Sequence, residues 1–421
     1  MFGEHRFRHD YAKLVAVLTR QLGARYLPDI EDAVQGAMVA AVQRWGVAGA
    51  PDNPTAWLYH VAKNQVLANL RTAGRRRRLL ERNHATATPP ADREASATEP
   101  EYLDSLLHML FLSCDDAVPD ESRLAFMLKT LCGFSTAEIA ARLFASEESV
   151  YKRLSRARDR LRESDASNRV LRSADFEVRT PSVRRVLYLM FSEGYLSIDG
   201  ERSIRLELCE EAIRLGLLLA DHPTGEHPET SALVALMLLN FARLNGREGA
   251  NGGLLLLEEQ DRGKWDHELI VHGLEWLQKS ASGEHFTRYH CEAGIAATHC
   301  IAPSFAETQW GEIAKNYEVL FSFSEIPVHR LNHALAIAEI EGPAAGLASL
   351  RKYRPPSWLT GSYLWAAVMA DLSFRNGEFD AADENLEVAL ATAPSEAIAN
   401  LIRRRSRKNQ GVEPKSTNSN A

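Results

Sequence analysis

Basic side chains are concentrated on one short segment, residues 147–163, where their number and spacing suit contacts with nucleic acid. Apolar residues recur there at i, i+4, i+7 and i+11, which a helix would align on one buried seam: Val150, Leu154, Ala157 and Leu161. The cations must lie mostly off this seam: Lys152, Arg153, Arg156, Arg158, Arg160 and Arg162. Groups displayed in this way can contact phosphates and guanine edges in the major groove of DNA. The alternative is a solvated charged face, which is common for arginine-rich helices.

A second helix has to hold the basic helix in place, and the preceding residues predict one. Ser135 and Glu138 have the spacing of a capping box, so a helix is expected to begin there. Residues 144–145 form the predicted turn, and Ser146 begins the basic helix. Two capped helices joined by a short turn, with the positive charge on the second helix alone, are typical of a helix-turn-helix that enters the major groove.

A third group of candidate residues combines aromatic rings with cations nearer the N-terminus. A helix is predicted from Asp29 to Trp45, with this apolar face: Ile30, Val34, Ala37, Met38, Ala41 and Val42. The helix after Pro54 begins with aromatic residues and ends at Gly74, in a run of four arginines, 75–78. Aromatic rings stack on unpaired bases while cations follow the backbone of a single strand. Trp57 fits equally well as a core anchor, and the arginine run could equally be a solvated tail.

Three pieces of sequence then occur in a recognisable order. They are DIEDAVQ at 29–35, AWLYHVAKN at 56–64 and SVYKRLSRAR at 149–158. With the basic run and the helix-turn-helix, they resemble a bacterial RNA polymerase sigma factor of the extracytoplasmic-function (ECF) group of the sigma-70 family. The resemblance covers roughly residues 8–165. It implies a factor that directs core RNA polymerase to specific promoters and initiates transcription, so that the polymerase and promoter DNA are the expected partners.

The resemblance also implies roles for residues within each piece. The first helix would bind the clamp helices of the polymerase's largest subunit through Asp32, Gln35 and Arg44. The second piece would bind the −10 element as a single strand through Trp57, Tyr59, His60, Lys63, Asn64 and Arg71. The helix-turn-helix would bind the −35 duplex through Tyr151, Lys152, Arg153, Ser155 and Arg156. Many relatives have a basic or small residue where Tyr151 stands, so a different base preference is expected there.

Length and composition indicate a multidomain globular protein of 421 residues, of which 45% are hydrophobic and 25% charged. No apolar run approaches the ~20 residues of a membrane span, and the N-terminus has no apolar signal core, so a cytoplasmic protein without membrane contact is expected. The five cysteines are sparse and fit reduced thiols. The net charge of −7 is compatible with DNA binding because the acidic excess follows residue 165.

The periodicity predicts an all-α protein with two small helical sigma domains and a C-terminal helical-repeat domain. The predicted boundaries are 8–82 for sigma region 2, 83–100 for a flexible linker, 101–165 for region 4, 180–400 for the C-terminal extension and 403–421 for a disordered tail. A polar stretch, 164–179, is expected to join region 4 to the extension.

The extension resembles stacked tetratricopeptide units. Residues 366–394, with Gly377 in the turn, match one helix pair, and residues 331–347 form a weaker copy. Stacked pairs leave a concave surface that usually binds peptide or protein, so a protein partner is expected. A plain helical bundle without a ligand is the alternative for residues 180–300. One subgroup of ECF sigma factors carries such an extension, and this resemblance implies that it controls or supports activity in place of a separate anti-sigma factor.

No motif in the sequence favours catalysis, and we expect no enzymatic activity, cofactor or metal. Nucleophile elbows, phosphate-binding loops and HExxH are absent. The His-Cys pairs at 290–291 and 299–300 would not share a helix face, and the triplet 114–116 lacks partners at ligand spacing. The acidic segment 258–262 is expected to order a loop through arginine–carboxylate pairs. Two alternatives stay open: a polymerase-independent helix-turn-helix regulator with a helical sensor domain, and a helical scaffold whose basic helix is incidental.

Overall fold

The computed structural model describes residues 4–80, 99–143, 145–163, 173–196, 202–223, 225–247, 249, 254–283, 285–323 and 326–409. Within these ranges the chain forms helices and loops without a strand, so the predicted all-α class is confirmed. Clustering of contacts divides the chain into two compact units, residues 1–190 and 191–421.

The first unit contains α1 (Glu4–Leu22), α2 (Leu27–Ala48), α3 (Pro54–Leu80), α4 (Glu99–Ser113), α5 (Asp120–Thr130), α6 (Thr136–Arg142), α7 (Glu147–Glu163) and most of α8 (Ser173–Leu196). The second unit contains α9 (Arg202–Ala220), α10 (Pro228–Phe241), α11 (His267–Ser280), α12 (Arg288–Ile301), α13 (Trp310–Leu320), α14 (Pro327–Glu341), α15 (Pro343–Lys352), α16 (Ser357–Thr360), α17 (Tyr363–Arg375), α18 (Phe379–Ala391) and α19 (Glu396–Asn409).

Helices α1, α2 and α3 pack on one another, and α1 also packs against α4. Leu18, Ile30 and Leu58 are fully buried in this core. Helix α2 ends at Gly49, whose φ of 80° is a conformation that glycine adopts readily. Helix α3 continues to Leu80, so the predicted end at Gly74 is wrong. A glycine inside a helix costs only about 1 kcal/mol relative to alanine and does not by itself stop the helix.

Helix α8 begins earlier than expected, at Ser173, inside the predicted joining stretch. The ring of Phe176 meets that of Phe111 in α4 edge to face, with centroids 4.6 Å apart. Arg179 pairs with Asp115 at 2.5 Å, and both side chains are buried. The partners in these contacts are more than sixty residues apart in the sequence, so the local polarity of residues 164–179 could not reveal the contacts.

In the second unit, consecutive helices pack as neighbours from α9 to α15 and from α16 to α19, and α15 packs against α17. Helices α14 and α15 cross closely at Gly346, where a Cβ would lie 2.7 Å from the carbonyl oxygen of Ala334. Gly377, with φ of 78°, joins α17 to α18 in the predicted turn. The predicted second pair, around residues 331–347, corresponds to α14 and α15.

The C-terminal helix α19 was not predicted. The disordered tail was expected to begin at Arg403, but residues 403–409 are helical, because Arg404 and Arg405 reach carboxylates elsewhere in the unit. Residues 410–421 lie outside the described residues. The predicted linker, 83–100, also lies outside them apart from residues 99–100, which begin α4. The remaining domain boundaries stay predictions.

Candidate nucleic-acid and polymerase interface

The helix-turn-helix has the local geometry that its sequence predicts. The backbone N–H of Ser135 donates to Glu138 Oε2 at 2.7 Å, and the N–H of Glu138 donates back to Ser135 Oγ at 3.1 Å. Helix α7 begins with the N–H of Ser149 donating to Ser146 Oγ at 3.2 Å. Its predicted seam is buried: Val150, Leu154, Ala157 and Leu161. Phe144, in the predicted turn, lies outside the described residues.

One surface of α7, the recognition helix, carries the predicted −35 residues. Tyr151 is 63% exposed, and Lys152 and Arg156 are also exposed, whereas Arg153 and Ser155 are partly covered. Lys152 pairs with Glu148 at 2.6 Å, and Arg156 pairs with Glu121 of α5 at 2.9 Å. These ion pairs are solvent-exposed, and such pairs contribute little to stability, so phosphate or base groups can replace the carboxylates at small cost.

The exposed face of α2 carries the three predicted polymerase contacts, Asp32, Gln35 and Arg44. It also carries two valines that the sequence analysis did not select. Val39 is 57% exposed and Val42 is 63% exposed. Placing Val42 on the inner face was wrong, because the covered side of α2 carries Ala41 while Val42 lies on its exposed side. An apolar pair beside polar groups is a surface suited to another protein.

The residues predicted to bind the −10 strand divide into two sets. His60, Asn64 and Arg71 are exposed on α3, and Lys63 is partly exposed. Trp57 is also partly exposed and meets Trp45 edge to face, with ring centroids 5.4 Å apart. In contrast, Tyr59 is 1% exposed, and its hydroxyl donates to Gln21 Oε1 at 2.9 Å. The prediction that Tyr59 contacts bases therefore needs correction, because its ring is part of the core of α1–α3.

A buried cluster of polar residues joins the recognition helix to the α1–α2 core. Arg158 lies two turns after Tyr151, at the edge of α7 beside the buried seam, and it donates to Glu31 of α2. Glu31 is 3% exposed. Burial raises the pKa of the Glu31 carboxyl, and the charges of Arg158 and Lys129 oppose that rise. The hydroxyl of Tyr11 approaches the other carboxylate oxygen at 3.5 Å, and Lys129 lies 5.7 Å from the Tyr11 ring. We call these four residues the Glu31 cluster.

A second contact joins α1 to the helix-turn-helix. Arg8 pairs with Glu138 at 2.8 Å, and its guanidinium lies 4.8 Å from the ring of Phe134. The backbones also approach closely, since a Cβ at Gly133 would lie 3.0 Å from the carbonyl oxygen of Arg8. Gly133 has φ of 70°, so both its conformation and its surroundings favour glycine. The sequence analysis missed these contacts because their partners are more than a hundred residues apart.

The histidine, cysteine and carboxylate candidates serve structural roles. His290 Nδ1 accepts from the N–H of Thr287 at 3.1 Å as a helix cap, and burial raises the pKa of the Cys291 thiol to about 11. In the described ranges, no group of three or more histidine, cysteine or acidic residues could hold a metal ion. Nor does any described helix combine the length and apolarity required to cross a membrane.

The acidic segment 258–262 is ordered largely as predicted. Glu258 pairs with Arg405, and Glu259 pairs with Arg404 at 3.0 Å. Arg262 departs from the prediction, because it donates to backbone carbonyls and not to a carboxylate. Its acceptors at 2.6 Å are the carbonyl oxygens of His299 and Ala302.

Three known protein families match successive segments of the chain. The family described as sigma-70 region 2 matches residues 7–76, and sigma-70 region 4 matches residues 108–161. A family of unknown function, DUF6596, matches residues 179–281. The first two matches, together with the exposed recognition helix, define the class of the chain: a transcription factor with the two helical domains of sigma-70 factors.

The relatives support the same assignment. An uncharacterized protein of Rhizobium meliloti (strain 1021) is 32% identical over 406 residues, which cover 93% of each chain. ECF RNA polymerase sigma-E factors of Escherichia coli (strain K12) and Salmonella typhimurium (strain LT2) are 29% and 28% identical over 160 residues, covering 37% of this chain and 80% of theirs. No solved structure gives a significant match. The chain belongs to the ECF group of sigma-70 factors, non-enzymatic proteins that bind core RNA polymerase and promoter DNA.

Proposed function

We propose that this sigma factor acts in the cytoplasm on one promoter class, which it binds through the two surfaces described above. The observation that carries the proposal is the exposed basic face of α7, held on a buried seam with Tyr151, Lys152 and Arg156 outermost. These three side chains contact the −35 duplex in the major groove, with Arg153 and Ser155 at the edge of the contact. Sequence preference then follows from which of them reaches a base edge and which a phosphate.

The α2 and α3 surfaces act together near the start site. Asp32, Gln35 and Arg44 contact the polymerase clamp, and Val39 and Val42 add an apolar contact beside them. On α3, Trp57 stacks on an unpaired base of the −10 strand, supported by these polar side chains: His60, Lys63, Asn64 and Arg71. Tyr59 supports this surface from below without touching DNA.

Promoter binding requires the two DNA-binding surfaces to separate. Elements near −10 and −35 lie about 25 base pairs apart, or about 85 Å along B-form DNA. In the structure, α7 is held against the α1–α2 core by Arg158 on Glu31 and by Arg8 on Glu138. We infer that the Glu31 cluster opens when the factor joins the polymerase.

The C-terminal extension modulates this activity. Helix α8 is the element that supports this part of the proposal, because its first turns pack on the helix-turn-helix domain through Phe176 and Arg179 and its last turns belong to the second unit. Helix α8 is therefore the segment of chain through which we propose that the extension acts. A protein partner of the extension would act through the same route.

Run-off transcription with purified core polymerase tests the proposal. The template pool would hold candidate promoters of the host, including the region upstream of its own gene. We expect specific initiation by the full chain and a loss of about thirtyfold or more in the double variant Lys152→Ala/Arg156→Ala, since each of the two phosphate or base contacts contributes about 1 kcal/mol or more. The matched control is Lys315→Ala, which removes an exposed lysine of α13. No initiation by the full chain, together with duplex binding in the absence of polymerase, would favour a helix-turn-helix regulator.

The modulation needs a truncation that preserves α8. A chain ending after Ser164 would strip Phe176 and Arg179 from the helix-turn-helix domain, so the better comparison ends after Leu196. Higher activity of that chain indicates an inhibitory extension, and lower activity indicates an activating one. Equal activity on every template contradicts modulation but leaves the sigma function intact.

A further inference from the structure

The second unit encloses a cavity of about 500 Å³. It lies between the loop 254–261, helices α12 to α14 and helices α17 to α19. Its walls are mainly apolar and partly aromatic: Leu257, Phe305, Trp310, Ile313, Val368 and Leu386. A cavity of this size with such walls falls within the range that small-molecule sites occupy in proteins, about 300–1,000 Å³.

Helix α19 and the loop 254–261 form one wall of the cavity, which we call the roof. Arg404 of α19 donates to the carbonyl oxygen of Leu254 at 3.0 Å and pairs with Glu259 at 3.0 Å. Arg405 of the same helix pairs with Glu258 and with Asp371 of α17. These bonds hold the loop and the last helix together, so that wall of the cavity is fixed. The volume of about 500 Å³ suits a compact molecule.

The charges that line the cavity are satisfied within the protein. The carboxylate of Asp371 accepts hydrogen bonds from Arg405 and Asn409, and the carboxylate of Glu258 pairs with Arg405 and Lys408. Glu339 pairs with Arg375 of α17 at 2.9 Å, so every charged lining residue has a partner of opposite charge. An ionic ligand would have to enter without a counter-ion, which is costly in an apolar cavity. The lining therefore favours a neutral ligand.

His299 is a polar side chain of the cavity wall, and one of its ring nitrogens, Nδ1, has no hydrogen-bond partner among the described residues. Within the described part of the chain, His299 Nδ1 is buried and no donor or acceptor reaches it. The imidazole stands edge-on to Trp310, with ring centroids 5.5 Å apart. Burial, followed by the nearby charges of Arg243 and Arg262, lowers the pKa of His299 to about 3, so the ring is neutral at physiological pH. The neutral imidazole therefore adds no charge to the cavity wall.

We propose that this cavity is a binding site for a neutral, mainly apolar small molecule, whose body lies against Trp310 and Phe305 beside the uncharged ring of His299. The ligand lies against α19 and the loop 254–261. It therefore stabilises the hydrogen bonds and ion pairs by which Arg404 and Arg405 hold these two segments together. The site is independent of the sigma activity proposed above.

Two fluorescent probes with the same skeleton test the class of ligand on the full-length protein. N-phenyl-1-naphthylamine is neutral and carries one N–H, and 8-anilinonaphthalene-1-sulfonate adds a negative charge. We expect the neutral probe to bind saturably, one per chain, and roughly tenfold or more tightly than the sulfonate, because the charge would be buried unpaired. Failure of the neutral probe to saturate, or tighter binding of the anion, would overturn the proposal.

A cavity-filling variant tests the location. Ala367 of α17 lines the cavity, and Ala367→Phe places a ring inside it. Val388 is 43% exposed on α18 and lies outside the lining, so Val388→Phe is the matched control. We expect the affinity for the neutral probe to fall about tenfold or more in Ala367→Phe, because packed interiors leave no alternative space, and to stay unchanged in the control. Equal affinities in both variants contradict the assignment.

A second measurement keeps the test decisive if Ala367→Phe does not fold. Energy transfer from tryptophan to the bound probe should fall in Trp310→Phe, which keeps an aromatic wall, by more than in Trp358→Phe. Trp358 is 60% exposed and outside the lining. Equal loss of transfer in the two variants would place the probe elsewhere and reject the site.

Discussion

Arg158 of helix α7 donates a hydrogen bond to Glu31, a carboxylate buried in α2, and this contact joins the two sigma domains of the factor. The two residues lie 127 positions apart in the sequence. Helix α7 therefore exposes Lys152 and Arg156 to solvent, while Arg158, at the edge of its buried seam, contacts the neighbouring domain. A single helix thus serves both DNA binding and the closed arrangement.

Removing Arg158 should destabilise the first unit. Arg158→Ala leaves the Glu31 carboxylate buried without its main counter-charge, and breaking a buried pair in this way costs about 3 kcal/mol or more. The measurement is urea unfolding of the full-length chain, followed by a signal from the first unit. Arg162→Ala is the control, because that exposed arginine pairs with Asp159 at only 3.8 Å. The double variant Glu31→Gln/Arg158→Ala should recover part of the loss, and a loss no larger than that of the control would contradict this role.

The two aromatic residues of α3 should give opposite results. Tyr59→Phe removes a buried hydroxyl bonded to Gln21, so we expect about 1 kcal/mol of lost stability and unchanged promoter opening. Trp57→Ala should reduce promoter opening, because it removes a base-stacking surface worth about 1–3 kcal/mol. Opening is measured by permanganate reactivity of unpaired thymines with polymerase present. A defect in opening for Tyr59→Phe, at unchanged stability, would return that ring to the DNA surface.

The attachment of α8 to the helix-turn-helix domain should depend on Arg179. Its pair with Asp115 is buried, so Arg179→Ala is expected to cost about 3 kcal/mol. Hydrogen exchange of the first turns of α8 should then quicken while α9 to α18 keep their protection. The control is Arg185→Ala, which removes an exposed arginine of the same helix. Unchanged exchange in Arg179→Ala would show that Phe176 and its neighbours suffice.

Acid should weaken the roof of the cavity. Burial alone would raise the pKa of Asp371, but the hydrogen bonds and charge of Arg405 outweigh it, and the pKa lies below its ordinary 3.8. The carboxylate therefore stabilises the fold above its ordinary pKa, and this stability is lost as pH falls through the lower, folded-state pKa. Asp371→Asn should cost about 2 kcal/mol at pH 7 and progressively less below about pH 4. The comparison is urea unfolding across that range, with exposed Asp383→Asn as the control; a pH-independent difference would contradict the prediction.

The sequence by itself determined the features that depend on near neighbours. The capping box of Ser135 and Glu138 and the seam of Val150 and Leu154 are set by residues within a few positions of one another, and the structure has both. The helix class followed from periodicity, and the order of three motifs led to the family. The same local evidence placed Lys152 and Arg156 on an exposed surface.

Contacts between a helix side chain and a residue far away in the sequence became visible in the three-dimensional structure alone. The family resemblance placed Tyr59 beside Trp57 on the −10 surface, but Tyr59 is buried where α1 packs against α3. Periodicity gave Arg158 a place beside the seam, and only the approach of α2 made it the partner of Glu31. Residues 403–409 of α19 were predicted to belong to a disordered tail, but they are helical and Arg405 pairs with Asp371. In each case the deciding energy comes from desolvation and pairing between elements far apart in the chain, which no local pattern records.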